Sequence, residues 1–134
     1  MAKVSGLIEQ DHFKTVLNNG RNELIGDEPA INGGSDLGFS PSELLCSALA
    51  TCTCVTLRMY ADRKNWNLKA VNTQISFTRN TEKNTSQIKR EIELMGDLSD
   101  EQRSRLLQIA NQCLIHKTLS SPIEVETKLL QSNP

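Results

Sequence analysis

Four cysteines, Cys46, Cys52, Cys54 and Cys113, are the residues best suited to chemistry in this sequence. A thiolate can act as a nucleophile, a metal ligand or the first step of an oxidation ladder, and spacing decides which thiols can cooperate. Cys46, Cys52 and Cys54 fall in one stretch, SPSELLCSALATCTCVTLRMYADRK, that reads as a helix over Ser40–Lys64. On a helix, side chains six or two residues apart point away from each other, so no disulfide forms within the stretch. A metal site from Cys52, Cys54, Cys113 and His116 fails for the same reason, because Cys52 and Cys54 diverge by about 200°. Cys52 and Cys113 remain. They are either small hydrophobes filling a core or an attacking thiol with its resolving partner, and composition leaves both readings open.

The helix that carries Cys46, Cys52 and Cys54 is legible letter by letter. Ser40 caps the first turn, Pro41 sits where a missing N–H costs nothing, and Glu43 can reach back to complete a capping box. Leu45, Ala48, Leu49, Cys52, Val55, Thr56 and Met59 form one stripe, while Cys46, Ala50, Cys54, Leu57 and Ala61 form another nearly opposite. Ser47, Thr51, Arg58 and Asp62 leave only a narrow polar wedge, so the helix is expected to be buried almost all round. Its apolar content is broken by Ser47, Thr51, Thr53, Thr56 and Arg58, which argues against a membrane span.

Around this helix, short strands are expected over residues 3–9, 12–17 and 21–25, with a tight turn at Asn18-Asn19-Gly20. Residues 26–39, rich in Gly, Pro, Asp and Asn, read as a loop. Alternation predicts strands through Val71, Thr73, Ile75 and Phe77, through Ile88, Ile92 and Leu94, and through Ile123, Val125, Thr127 and Leu129. Ser99-Asp100-Glu101-Gln102 opens a second helix whose stripe is Leu106, Ile109, Ala110 and Cys113, with Arg103, Arg105, Gln108 and Asn111 facing water; Ile115–Leu119 is a further short helical piece. With no βαβ alternation the fold class is α+β with antiparallel sheet. At 134 residues, 1–134 is expected to be a single domain. A net charge of −1 offers no electrostatic case for nucleic acid or an anionic membrane as partner. The N-terminal MAKVSGLIEQDHF does not read as a secretory signal, which points to the cytoplasm and to reduced thiols. A helix apolar on two faces needs cover on both, so a second subunit is expected.

The run SPSELLCSALATCTCVTLRMYADRKNW, followed by GDLSDEQRSRLLQIANQCLIHKTL, resembles the OsmC/Ohr family of thiol-dependent hydroperoxide reductases over residues 12–129. The resemblance implies an OsmC-like fold, in which a long buried central helix and a second helix pack with antiparallel sheets in an intertwined homodimer. It implies that Cys52 is the peroxidatic and Cys113 the resolving cysteine, joined by an intramolecular disulfide after attack on an organic hydroperoxide. It places Arg21 nearest the family's characteristic Arg, as the cation that a buried thiol needs, with Glu43 holding it. Leu49, Val55 and Met59 would line an apolar site that favours organic hydroperoxides over hydrogen peroxide. An external dithiol would reduce the disulfide, and neither a cofactor nor a metal is implied. The chain departs from the family where Ser42 directly follows the Pro and where Leu114 follows the second Cys. Those departures favour an alternative, a non-catalytic dimer of the same fold that binds a small lipophilic ligand in its cleft.

Overall fold

A computed structural model describes residues 1–132 and resolves two compact units. The first comprises Met1–Thr51 and Thr73–Ile92. Its N-terminal sheet is antiparallel in the order β1 (Ser5–Ile8), β2 (Thr15–Asn18), β3 (Glu23–Gly26). Leu7 pairs with Val16, and Val16 with Ile25. The β2–β3 turn forms as its letters dictate. Gly20 adopts φ +94°, and Asn19 Oδ1 accepts from the N–H groups of Arg21 and Asn22 at 2.9 and 2.7 Å.

The loop that follows is organised by one buried carboxylate. Asp27 Oδ1 accepts from the N–H groups of Phe13, Glu28 and Ser35, and Oδ2 accepts from Leu37. Burial pushes this carboxyl up, but the four donors outweigh it and hold Asp27 below its ordinary value. A single 3-10 turn, Ala30–Asn32, lies within the loop. Phe13, Leu17, Phe39, Pro41 and Leu44 line a largely apolar cavity of about 390 Å³ beside it.

Helix α1 (Pro41–Lys64) begins at the expected box, with Ser40 N–H on Glu43 Oε1 at 2.8 Å and Glu43 N–H on Ser40 Oγ at 3.3 Å. The seam Leu49, Thr53, Leu57, Ala61, spaced every four residues, is buried. The opposite face is not: Val55 is 45% and Met59 64% exposed. The expectation of burial all round is therefore corrected for a single chain. Thr53, which had counted against the helix's apolar character, is buried in the seam instead. By length and mean hydropathy alone (1.4 over 18 residues) α1 would pass for a membrane span, yet its seam is packed in protein.

The second unit comprises Cys52–Asn72 and the chain from Glu93. Its core is Thr53, Leu57, Ala61, Leu68, Leu106, Ala110 and Cys113, each buried. Strands β4 (Asn67–Asn80) and β5 (Thr85–Asp97) pair in a two-stranded sheet. In them Val71, Thr73, Ile75 and Phe77, and Ile88, Ile92 and Leu94, are the less exposed sides, as their alternation predicts. At Gly96 (φ +142°) a Cβ would stand 2.1 Å from Asn67 O, so only glycine lets the two backbones meet there. Helix α2 (Asp100–Ala110) carries the Ser99–Gln102 capping box. Arg103 does not face water as expected; its Nη1 and Nη2 donate to Leu94 O and Gly96 O, tying α2 to the end of β5. Helix α3 (Leu114–Leu119) follows.

The last expected strand is absent. Residues 122–132 carry no strand, and Val125 and Leu129 are 80% and 98% exposed. Alternation specifies only that a segment fits a pleated, half-buried surface. It becomes a strand when a neighbouring edge supplies the ladder.

Candidate thiol site

The site is assembled by a helix stop. Chain leaves α2 at Ala110 through a turn in which Gln112 N–H bonds Ile109 O at 2.9 Å and Cys113 N–H bonds Ala110 O at 3.4 Å. Cys113 is therefore not the last residue of the α2 stripe. It is extended (φ −64°, ψ 147°) and caps α3, its Sγ accepting from His116 N–H at 3.4 Å. The same first turn serves the other thiol, with Ile115 N–H donating to Cys52 Sγ at 3.5 Å. The structure thus brings Cys52 and Cys113 to one helix start, where the Cys113 side chain adds to the lowering of Cys52. All four cysteines are free thiols; Cys113 is buried and Cys52 half-buried.

Two opposing effects set the acidity of Cys52. Burial disfavours its thiolate, while the N–H of Ile115, the side chains of Cys113 and Thr56, and the N–H of Leu114 favour it. The donors win, and the Cys52 thiol sits below its ordinary value. A cysteine at a helix N-terminus is lowered in this way without any nearby cation.

Of the remaining candidates, Arg21 and Glu43 belong to the first unit. Arg21 is exposed in the β2–β3 turn. Glu43 is occupied at the start of α1, where the N–H and hydroxyl of Ser40 lower its carboxyl against a smaller opposing effect of burial. Among the described residues no ion pair joins Glu43 to Arg21; the pair present is Arg58–Asp62 at 3.3 Å. Cys54 Sγ faces Val71 O at 4.0 Å. Val55 and Met59 border an open hollow with Cys54, Arg58 and Val71, and Leu49 is buried. Sequence reasoning missed Thr56 and the amides of Leu114 and Ile115. The signals were present: Thr56 lies one turn after Cys52, and a cysteine ahead of a short helical piece occupies a capping position.

The OsmC-like protein family matches residues 33–128. Among solved structures, the chain resembles an OsmC-like protein from Mycoplasma pneumoniae (18% identity, TM-score 0.78, covering 90% of this chain and 87% of that one). It also resembles an organic hydroperoxide resistance protein from Legionella pneumophila (16%, 0.66, 89% and 88%) and one from Bacillus subtilis (20%, 0.62, 88% and 89%). No curated protein sequence matches the chain significantly.

Proposed function

The chain belongs to the OsmC-like family, and from that premise we propose that it is a thiol peroxidase that reduces organic hydroperoxides, with Cys52 as the peroxidatic and Cys113 as the resolving cysteine. The observation that carries this reading is that the first turn of α3 serves both thiols, Ile115 N–H donating to Cys52 Sγ and His116 N–H to Cys113 Sγ, with Cys52 held below its ordinary value. The names of the Legionella and Bacillus proteins, organic hydroperoxide resistance proteins, support the substrate class.

The chemistry balances with this chain's own groups. The Cys52 thiolate attacks one peroxide oxygen; an S–O bond forms, the O–O bond breaks, and the alkoxide leaves as an alcohol on taking a proton. Cys52 is then a sulfenic acid. The Cys113 thiolate attacks that sulfur, an S–S bond forms, and hydroxide leaves as water on protonation. An external dithiol restores both thiols and becomes a disulfide itself. The N–H groups of Ile115 and Leu114 favour the attacking thiolate. In the same reading Arg21 supplies a cation to the site, the two units form one OsmC-like domain over 1–134, and two copies form the intertwined homodimer. The exposed face of α1 with Val55 and Met59 is the surface a second copy covers. The reading places the protein in the cytoplasm, where dithiol reductants are available.

A non-catalytic second reading draws on the apolar cavity of about 390 Å³ in the first unit, which has no cysteine in its lining and suits a small lipophilic ligand. Thiol counting separates the two. One equivalent of cumene hydroperoxide should remove two free thiols per chain and Cys52→Ser should abolish the loss, whereas an unchanged count would leave only binding. Arg21→Ala should raise the pH midpoint of Cys52 alkylation; an unmoved profile removes Arg21 from the site.

A further inference from the structure

Eight residues beyond Cys52, about 12 Å along the helix axis, α1 presents a second group of chemically distinctive side chains. Arg63 Cζ, Lys64 Nζ and Arg105 Cζ lie 5.8, 5.7 and 5.7 Å from the centre of the Tyr60 ring. Arg105 comes from α2. Its Nε donates to the Tyr60 hydroxyl at 3.1 Å and its Nη1 to Gln108 Oε1 at 3.0 Å. Trp66 meets the Tyr60 ring edge-on at 5.5 Å.

Ordinary structural causes account for only part of this cluster. A ring attracts a cation over its face, but three positive charges around one ring also repel one another. The α1 dipole favours Arg63 and Lys64 in its last turn; Arg105 lies mid-helix in α2, where no dipole favours it. Among the described residues no carboxylate is paired with the group. Asp62 is paired with Arg58, and Glu101, one turn before Arg105, makes no ion pair with it among the described residues. All three cations are exposed. With the whole chain at −1, any attraction for an anion is local to this cluster.

We propose that Tyr60, Arg63, Lys64 and Arg105 form a binding site for a phosphate-class dianion, such as inorganic phosphate or a soluble phosphate monoester. Arg105 and Arg63 supply planar guanidinium groups, Lys64 supplies compact charge, and Tyr60, accepting from Arg105, turns its own O–H toward the anion. A dianion matches three cations gathered about one ring better than a single carboxylate does. The Tyr60 phenol is already held below its ordinary value, first by the Arg105 hydrogen bond, with burial opposing and the charges of Arg105, Lys64 and Arg63 adding to the lowering.

Trp66 is the sole tryptophan and touches Tyr60, so its fluorescence reports the site directly. The full chain is titrated with inorganic phosphate, ionic strength being held constant with sodium chloride. A saturable change that chloride does not reproduce is expected. Arg105→Gln should raise its midpoint about tenfold, the worth of a lost charge-assisted hydrogen bond. Lys64→Gln, which bridges no helices, should raise it in the same direction and serves if Arg105→Gln fails to fold. An equal, non-saturating response to chloride, or a wild-type midpoint in a folded variant, overturns the proposal.

Discussion

Replacing Thr56 with valine removes one hydroxyl donor from Cys52 and keeps the side chain's shape, so it tests directly what makes that thiol acidic. A hydrogen bond to a charged acceptor is worth about 1.5–3 kcal/mol, and sulfur is a weak acceptor. Cys52 is half-buried, so water can partly replace the hydroxyl. The lower end applies, about 1.5 kcal/mol, which is roughly a tenfold fall in thiolate fraction. The thiolate that remains is more nucleophilic; with a Brønsted coefficient of about 0.5, the net fall in alkylation rate is about threefold. Leu114→Pro probes the other donor set. It deletes an N–H at the first position of α3, where proline is favoured, and the extended Cys113 at ψ 147° accepts a following proline. The assay is iodoacetamide labelling of Cys52 against pH, read peptide by peptide, with Cys54 as internal control. Both variants should move the midpoint upward. If both keep the wild-type midpoint, the α3 turn and Thr56 do not activate Cys52, and the electrostatic reasoning is refuted.

Four further outcomes are expected. Asp27→Asn should lower the Tm at neutral pH, because an amide places a donor against one of four N–H groups; since the folded carboxyl titrates below its ordinary value, the native advantage is complete above that ordinary value and should vanish as pH falls through the folded one. Gly96→Ala should cost about 3 kcal/mol in a denaturant melt, from positive φ and the clash with Asn67 O. Val55→Asp or Met59→Lys should shift sedimentation from dimer to monomer, and an unchanged mass would remove that α1 face from the interface. In Cys113→Ser, hydroperoxide should leave a Cys52 sulfenic acid that dimedone traps; no adduct would deny Cys113 the resolving role.

Much of the fold was legible because local rules and tertiary structure agree. The Ser40–Glu43 and Ser99–Gln102 boxes, the Asn-Asn-Gly turn and the alternation of β4 and β5 each recur as read. Where a feature depended on a neighbour, the letters were silent. The alternation over residues 123–129 cannot disclose whether a sheet edge is available, and the apolar faces of α1 cannot disclose that one chain covers only the Leu49–Ala61 seam. The thiol site was half legible. Cys52 and Cys113 stood out by type and by place, but the groups that tune Cys52 are mostly backbone amides, which every residue has. Their role arises only because α2 ends at Ala110 and the chain turns to present the start of α3. Arg21 was named as the residue nearest the family's characteristic Arg; a helix start also supplies positive charge to a thiol, as partial charges on its amides.

The central claim is that two thiols remote in sequence act as one redox pair. Peptide mapping without reduction, after one equivalent of cumene hydroperoxide, addresses it most directly. The account predicts a single cross-linked species joining the Cys52 and Cys113 peptides, with Cys46 and Cys54 still free. Recovery of Cys52 and Cys113 unlinked, whether as intact thiols or as separately oxidised residues, would contradict it.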